Sequence, residues 1–214
     1  MTPFDTKLYS PAAERNRTPI LAALLELLAQ QGVALEIASG SGQHLAHFSQ
    51  ALPGWNWLGS DPSDAALASI EAWHPQGPKP LKLDVAQKDW ALPPSHQTLD
   101  LIYCANMLHI SPESNTAALM RGSAHHLSQA GLLIIYGPFI VPGESTAPSN
   151  LAFDADLRRR DPAWGLRSLR EVSDAAQHSG LQLQQTLRMP ANNLLLVFAR
   201  ANRAKPASPK PGAI

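Results

Sequence analysis

Two strand-like runs, LQLQQTLR at 181–188 and NLLLVFAR at 193–200, are separated by only four residues, MPAN. Parallel neighbours need a connection of about a dozen residues or more, so these two strands must be antiparallel. The rest of the chain has the opposite character. An amphipathic helix at 14–31 comes first, with Ile20, Leu21, Leu24, Leu25, Leu27 and Leu28 at helical spacing and Gly32 as a stop. Strand 33–38, helix 42–51, strand 55–60, helix 63–73 and strand 79–84 follow in alternation. Strand 99–105 then leads to a helix opened by Ser111 and Pro112, strand 131–136, and a helix that runs from the capping box Ser168–Glu171 to Gly180. Alternation of this kind predicts an α/β fold built on a doubly wound, mostly parallel sheet with helices on both faces, and the terminal pair gives it a reversed last strand.

A chain of 214 residues, 44% hydrophobic, has material for one substantial core, so a single domain over 1–200 is expected. Residues 201–214, ANRAKPASPKPGAI, are rich in Pro, Lys and small side chains without an apolar period and read as a flexible tail. Lys plus Arg number 17 and Asp plus Glu 17, which leaves no net field to draw in a nucleic acid or a membrane surface. The single cysteine, Cys104, lies in the apolar run LDLIYCANMLHI and reads as a packing thiol. With no apolar signal core and no run of about 18 apolar residues, a cytoplasmic protein is expected.

The first strand ends in a glycine turn, LEIASGSGQHL at 35–45, with Ala38, Gly40 and Gly42 at its bend. A dinucleotide fingerprint requires a third Gly or Ala where this chain has Leu45. Glu36, inside the strand, adds a negative charge that would repel a pyrophosphate and attract a sulfonium or an ammonium group. A nicotinamide oxidoreductase is therefore disfavoured. Asp61 follows Gly42 by 19 residues, the position from which such folds hold ribose hydroxyls. Because Pro62 comes next, Asp61 also reads as a helix N-cap, and both roles stay open. Asp84, with Val85 beside it, ends the third strand where an adenine amino group and ring would lie; Asn106 and Met107 end the fourth over the same crevice.

The segments SPAAERNRTPIL, LEIASGSGQH, NMLHISP, YGPF, SNLAFDADLRRRDPAWGLR and MPANN together resemble the methyltransferase-like twenty-six family, over nearly all of Tyr9–Arg200. The reversed final strand is likewise the layout of class I S-adenosylmethionine methyltransferases. The resemblance implies a seven-stranded, Rossmann-like methyltransferase fold and S-adenosyl-L-methionine as cofactor; it carries over no substrate.

Methyl transfer is an in-line displacement, so the enzyme chiefly aligns nucleophile and donor and excludes water. Where the acceptor carries a proton, His109 is the candidate base by position; the alternative is a structural histidine bonded to the following helix. Tyr9 is a second candidate at the catalytic end, and Arg15 is expected to face the methionine carboxylate or the acceptor. The connection from Gly137 to Arg167 is 31 residues long, beyond the usual range, and leaves the ligand edge of the sheet. Residues 138–167 are accordingly expected to be a lid or substrate loop, the alternative being a rigid loop held by Phe139, Phe153 and Trp164. Asn150 and Trp164 in this connection and Asn192 in the MPANN turn suit a small-molecule acceptor. A metal site is not expected, because His125 and His126 have no Cys or acidic partner at ligand spacing. A cofactor-binding protein that acts through a partner without catalysis is the competing reading.

Overall fold

In the computed structural model, which describes residues 6–201, the chain forms a seven-stranded sheet covered on both faces, with the order β3-β2-β1-β4-β5-β9-β8. The strands are β1 (Gly32–Ile37), β2 (Trp55–Asp61), β3 (Leu81–Lys82), β4 (Leu99–Ala105), β5 (Leu127–Gly137), β8 (Leu181–Met189) and β9 (Asn193–Arg200). Pairing is parallel from β3 across to β5, whereas β9 is antiparallel to both β5 and β8. The last strand in sequence is the reversed one, antiparallel to β8 as the short separation requires, and the structure inserts it between β5 and β8. The tail expected at 201–214 lies, beyond Ala201, outside the described residues.

Central strands are near-continuous apolar runs because both faces are covered. One face of β1 and β4 packs with Ile20 and Leu24 of α1 (Pro11–Leu27), Leu45 and Phe48 of α2 (Gln43–Ala51) and Ile70 of α3 (Asp64–Trp73). The other face meets Leu119 and Met120 of α4 (Ser114–His126) and Val172 and Ala176 of α6 (Leu169–His178). Two separate apolar layers on one sheet are the doubly wound arrangement. Cys104 is buried in the second layer, and burial raises its thiol pKa far above the ordinary value, so it packs as an inert apolar group.

Several boundaries differ from the sequence reading for local reasons. Helix α1 begins at Pro11 because Ser10 caps it, its hydroxyl accepting from the Ala13 amide, and it ends at Leu27 where Leu28 turns extended. Residues 11–13, ahead of the helix expected at 14–31, are therefore its first turn. Strand β3 is only two residues long, since Pro78 and Pro80 offer no amide donors ahead of it. The helix after Pro112 starts at Ser114, behind a turn in which Asn115 donates to the Pro112 carbonyl. The long connection contains α5 (Pro148–Arg160), flanked by two short strands, β6 (Phe139–Ile140) and β7 (Arg167–Ser168), which pair in parallel and tie its ends together. Two-residue strands carry no periodic signal, so neither was legible. The capping box at Ser168 and Glu171 is present, and Gly180, with φ 79°, follows α6.

Candidate functional site

A cavity of about 450 Å³ opens at the carboxyl edge of the sheet, between β1 and β4, where the strand order reverses. Its wall is built from four successive strand ends. The end of β1 supplies Glu36 and Ile37, followed by the turn Ala38–Ser41; β2 supplies Asp61 and Pro62; Leu83, Asp84 and Val85 follow β3; Ala105, Asn106 and Met107 come from β4.

The turn reverses tightly because Ala38, Gly40 and Gly42 have φ of 53°, 55° and 85°, the left-handed region that costs a residue with a Cβ. Gly42 does not line the cavity itself. It sits ahead of α2 with its α-carbon against α3, where an added Cβ would lie 2.8 Å from the Ile70 Cα. Leu45, at the position a dinucleotide fingerprint reserves for Gly or Ala, fits because Gly59 of β2 leaves room: a Cβ there would stand 2.7 Å from the Leu45 Cδ2.

Asp61 bridges the two strand ends. Its Oδ2 accepts from the Gly40 amide at 3.0 Å and its Oδ1 from the Ser63 amide at 2.9 Å. The N-cap of α3 is Ser63, whose hydroxyl accepts from the Ala66 amide, so Asp61 does not fill the capping role that the Asp–Pro pair suggested. Each carboxylate oxygen retains lone-pair capacity at the cavity wall. Asp84, exposed at the opposite wall, makes an Asx-type turn to the Ala86 amide at 2.9 Å.

Glu36 is 2% exposed, and its Oε2 is buried without a hydrogen-bond partner. Burial pushes its pKa up to about 8; the nearby Asp61 carboxylate adds to this, and hydrogen bonds to Ser39 and Leu45 oppose it. His44, in the first turn of α2, lies over the same floor, with Nδ1 3.9 Å from Glu36 Oε1 and Nε2 2.6 Å from Asn16 Oδ1. Burial, then the proximity of His47 and Arg17, takes the His44 pKa down to about 4. Both partners are neutral near pH 7, so the contact is a polar pairing and not an ion pair. Its ring stacks on Phe48 at 5.3 Å and meets the Tyr103 ring edge-on at 5.9 Å, which fixes its orientation.

Helix α1 closes one side. Ser10 and Ala13 line the cavity, and the Ser10 amide donates to Gln43 Oε1, whose Nε2 donates in turn to Glu14 at 3.2 Å. Ser10, Ala13, His44, Ile110, Ser111 and Asn115 all line the cavity and were missed from sequence. The available signals were slight: His44 comes two residues after the glycine turn, and Ser10–Pro11 is a helix-start pair.

The remaining expected residues do not gather at this cavity. Tyr9 is 62% exposed beside Ser10, and Arg15 is exposed on α1; neither side chain lines the wall. His109 is buried behind it, its ring edge-on to Phe153 at 5.3 Å and its carbonyl accepting from the Gly165 amide at 3.0 Å. Burial and the nearby Arg167 guanidinium lower its pKa to about 4, which makes it a weak base. Trp164 lies under the Arg160 guanidinium, 5.4 Å from the ring centre, away from the cavity. Arg158 and Arg159 pair with Asp154 and Asp156 on their own helix. Asn150 and Asn192 meet at a second, smaller cavity of about 150 Å³, over the turn between β8 and β9.

Among solved structures, the chain is similar to the mitomycin 7-O-methyltransferase MmcR, at 18% identity and TM-score 0.73, over 89% of this chain and 54% of that one. It is also similar to NcsB1, an O-methyltransferase from neocarzinostatin biosynthesis in complex with S-adenosylmethionine and 2-hydroxy-5-methyl naphthoic acid, at 14% identity and TM-score 0.69, over 88% and 54%. A third is CalO1, a methyltransferase in calicheamicin biosynthesis in its S-adenosylhomocysteine-bound form, at 14% identity and TM-score 0.68, over 86% and 55%. The chain spans about half the length of these proteins, and the likeness establishes that it has the class I methyltransferase fold. Residues 7–200 match the family described as "Protein of unknown function (DUF938)", and the chain belongs to that family.

Proposed function

We propose that this chain is an S-adenosyl-L-methionine-dependent methyltransferase that acts on a small-molecule acceptor. The observation that carries the reading is the floor of the larger cavity: a buried carboxyl group with an unpartnered oxygen, Glu36, beneath a glycine turn and beside Asp61. An orphaned buried carboxyl oxygen is costly unless a ligand completes it. A cationic, hydrogen-bonding group is its natural complement. The cavity volume falls within the range of about 300–1,000 Å³ that encloses ligands of this size. The likeness to methyltransferases that bind S-adenosylmethionine or S-adenosylhomocysteine supports the same cofactor here.

In this reading Glu36 receives the ammonium of the methionine end, Asp61 accepts from the ribose hydroxyls, and Pro62, Asp84 and Val85 hold the adenine. Ala38, Gly40 and the backbone of the turn, packed through Gly42, give the close approach, and Asn106 and Met107 flank the methionine chain. The cofactor supplies an activated methyl group on a sulfonium; this chain's residues orient it and exclude water. His44 and His109, both weakened as bases, serve to accept or donate a hydrogen bond and not to draw a proton at neutral pH. Arg15 and Tyr9 stay at the rim, where an incoming acceptor passes. Membership of the methyltransferase-like twenty-six group fits the six shared segments, and a cytoplasmic setting fits the buried, unpaired thiol of Cys104.

The test is a set of calorimetric titrations with S-adenosylhomocysteine, NAD and NADP. Saturable binding of the first alone is expected; binding of a nicotinamide dinucleotide, or of none of the three, refutes the reading.

A further inference from the structure

The second cavity has a composition that defines what it can take. It lies at the same sheet edge, walled by Phe139 and Val141 after β5, by Asn150 of α5, and by Met189, Asn192 and Asn193 around the β8–β9 turn. The ends of β4 and β5 lie between it and the larger cavity: Asn106, on the wall of that cavity, donates its amide to the Tyr136 carbonyl at 2.8 Å. A Cβ on Gly137 would stand 3.8 Å from the Asn106 Oδ1, and Gly137 pairs with Leu194, which lines the smaller cavity. The end of β5 at Gly137 therefore stands between the two.

Resting on the methyltransferase reading above, we infer that the smaller cavity is the acceptor subsite, and that it selects small, uncharged molecules recognised through amide hydrogen bonds. Its size sets the first limit. At about 150 Å³ it lies well below the range of about 300–1,000 Å³ that takes drug-sized ligands. Charge sets the second. The one arginine among the described lining residues, Arg188, is exposed at the rim and paired with both oxygens of Glu144 at 2.8 Å each, so an anion would have to compete with that carboxylate for it.

What is left is amide and hydroxyl chemistry. Asn150 is buried and donates through Nδ2 to the Asn192 carbonyl at 3.1 Å, which uses one of its two donors. Asn192 Nδ2 returns to the Ser149 hydroxyl at 3.4 Å, and Asn193 Nδ2 donates to the Pro190 carbonyl at 3.0 Å. The turn that presents these groups is strained. Ala191 and Asn192 have φ of 58° and 57°, two successive left-handed residues without a glycine. Left-handed backbone is unfavourable for residues with a Cβ and persists where hairpin closure and neighbouring contacts, here the Asn150–Asn192 bond, impose it.

The test uses the full chain loaded with S-adenosylhomocysteine and saturation-transfer NMR with two matched probe pairs, nicotinamide against nicotinate and benzamide against benzoate. The amides are expected to bind and the acids to bind less. Asn150→Ala should weaken the amides about fivefold, the loss of one hydrogen bond. Ser145→Tyr, at an exposed rim position that does not threaten the fold, should fill the cavity and abolish their signal. Acids binding as well as amides, signals unchanged in both variants, or no signal from either pair overturns the proposal. Calorimetry of S-adenosylhomocysteine with the same samples keeps the two readings apart. Its failure condemns the methyltransferase assignment, whereas its success with any of the adverse NMR results condemns the acceptor subsite alone.

Discussion

Cofactor binding should expel a proton from Glu36. In the ligand-free protein burial holds its pKa at about 8, so near pH 7 the group is mostly the neutral acid. An ammonium group placed against it favours the carboxylate, and if the bound-state pKa returns to the ordinary carboxylate range the proton must leave. At pH 7 roughly nine-tenths of a proton is then released per ligand bound, and ionising the acid costs about 1.4 kcal/mol of the binding energy. At pH 6 that cost roughly doubles, so S-adenosylhomocysteine affinity should rise about ninefold from pH 6 to 7, about fivefold from pH 7 to 8, and then level off. His44, over the same floor, titrates near 4, below the window, while desolvation, then Arg17, moves His47 down from its ordinary value.

Titrations at pH 7 in buffers of different ionisation enthalpy read the released proton directly. Glu36→Gln keeps the shape, removes the proton, weakens S-adenosylhomocysteine more than adenosine, and should flatten the pH profile. The ligand-free protein supplies a control of opposite sign. A folded-state pKa raised from 4.5 to about 8 contributes stability that is present below 4.5 and lost as pH rises through 8. His44 and His109, lowered from 6.5 to about 4, contribute stability present above 6.5 and lost as pH falls through 4. Between pH 6.5 and 8 only Glu36 among these three changes, so the Gln variant should be less sensitive to pH there in urea denaturation. Binding without proton release, with affinity flat from pH 6 to 8, would refute the placement of a cation at Glu36.

Asp61→Asn should weaken S-adenosylhomocysteine by about 1.5–3 kcal/mol in calorimetry, the scale of a charge-assisted hydrogen bond, with α3 retained in the circular dichroism spectrum because Ser63 and not Asp61 caps it. Gly59→Ala should destabilise the protein by driving a Cβ into Leu45, and Leu45→Ala in the same chain should recover part of the loss. A double-mutant cycle by chemical denaturation is expected to give a coupling of about 0.5–3 kcal/mol, and strict additivity would show that the Gly59–Leu45 contact is not what admits a leucine after the glycine turn.

The fold was legible because its determinants are local or periodic. Alternating strands and helices fix a doubly wound sheet, and the short turn of three residues between β8 and β9 fixes the one reversal. The cavity residues on strand ends, Glu36, Asp61, Asp84, Val85, Asn106 and Met107, were legible for the same reason: once strand order is known, the carboxyl edge is known. Residues whose place depends on how a helix packs were not. Whether Ser10 and Ala13 reach the cavity depends on the hydrogen bonds that tie the Ser10 amide and the Glu14 carboxylate to Gln43, and His44 owes its place to its stack on Phe48. Tyr9 and Trp164 failed in the same way, through packing that no spacing encodes: one is exposed beside the cap of α1, the other lies under Arg160. Leu45 taught the converse. Its departure from the dinucleotide fingerprint is plain in the sequence, but the space it needs comes from Gly59, on another strand.

The long connection between β5 and α6 is held unevenly along its length, which predicts where ligand binding will be felt. Its later part clamps the segment between β4 and α4 that walls the larger of the two cavities. The Gly165 amide donates to the His109 carbonyl, and Arg167 donates to the carbonyls of Ser111 and Ala163. Arg167 is buried with its Nε unpartnered; the two carbonyls accept from it, and the carboxylates of Glu113, Glu171 and Asp154, none within ion-pair distance, favour its charge from further off. A buried cation committed in this way does not let go cheaply. The earlier part is different: Gly143 has φ 83° with nothing within 4 Å of its would-be Cβ, and Glu144 and Ser145 are exposed. Closure over a ligand would therefore bend at 141–147 and leave 161–168 in place. In hydrogen exchange, S-adenosylhomocysteine should slow the amides of 36–44, 61–63 and 106–111, while 161–168 is already protected without ligand. Acceptor-sized amides added on top should slow 141–150 and 189–193. Rapid exchange at 161–168 in the free protein would show that the clamp does not hold, and would return the whole of 138–167 to the status of a lid that orders only on binding.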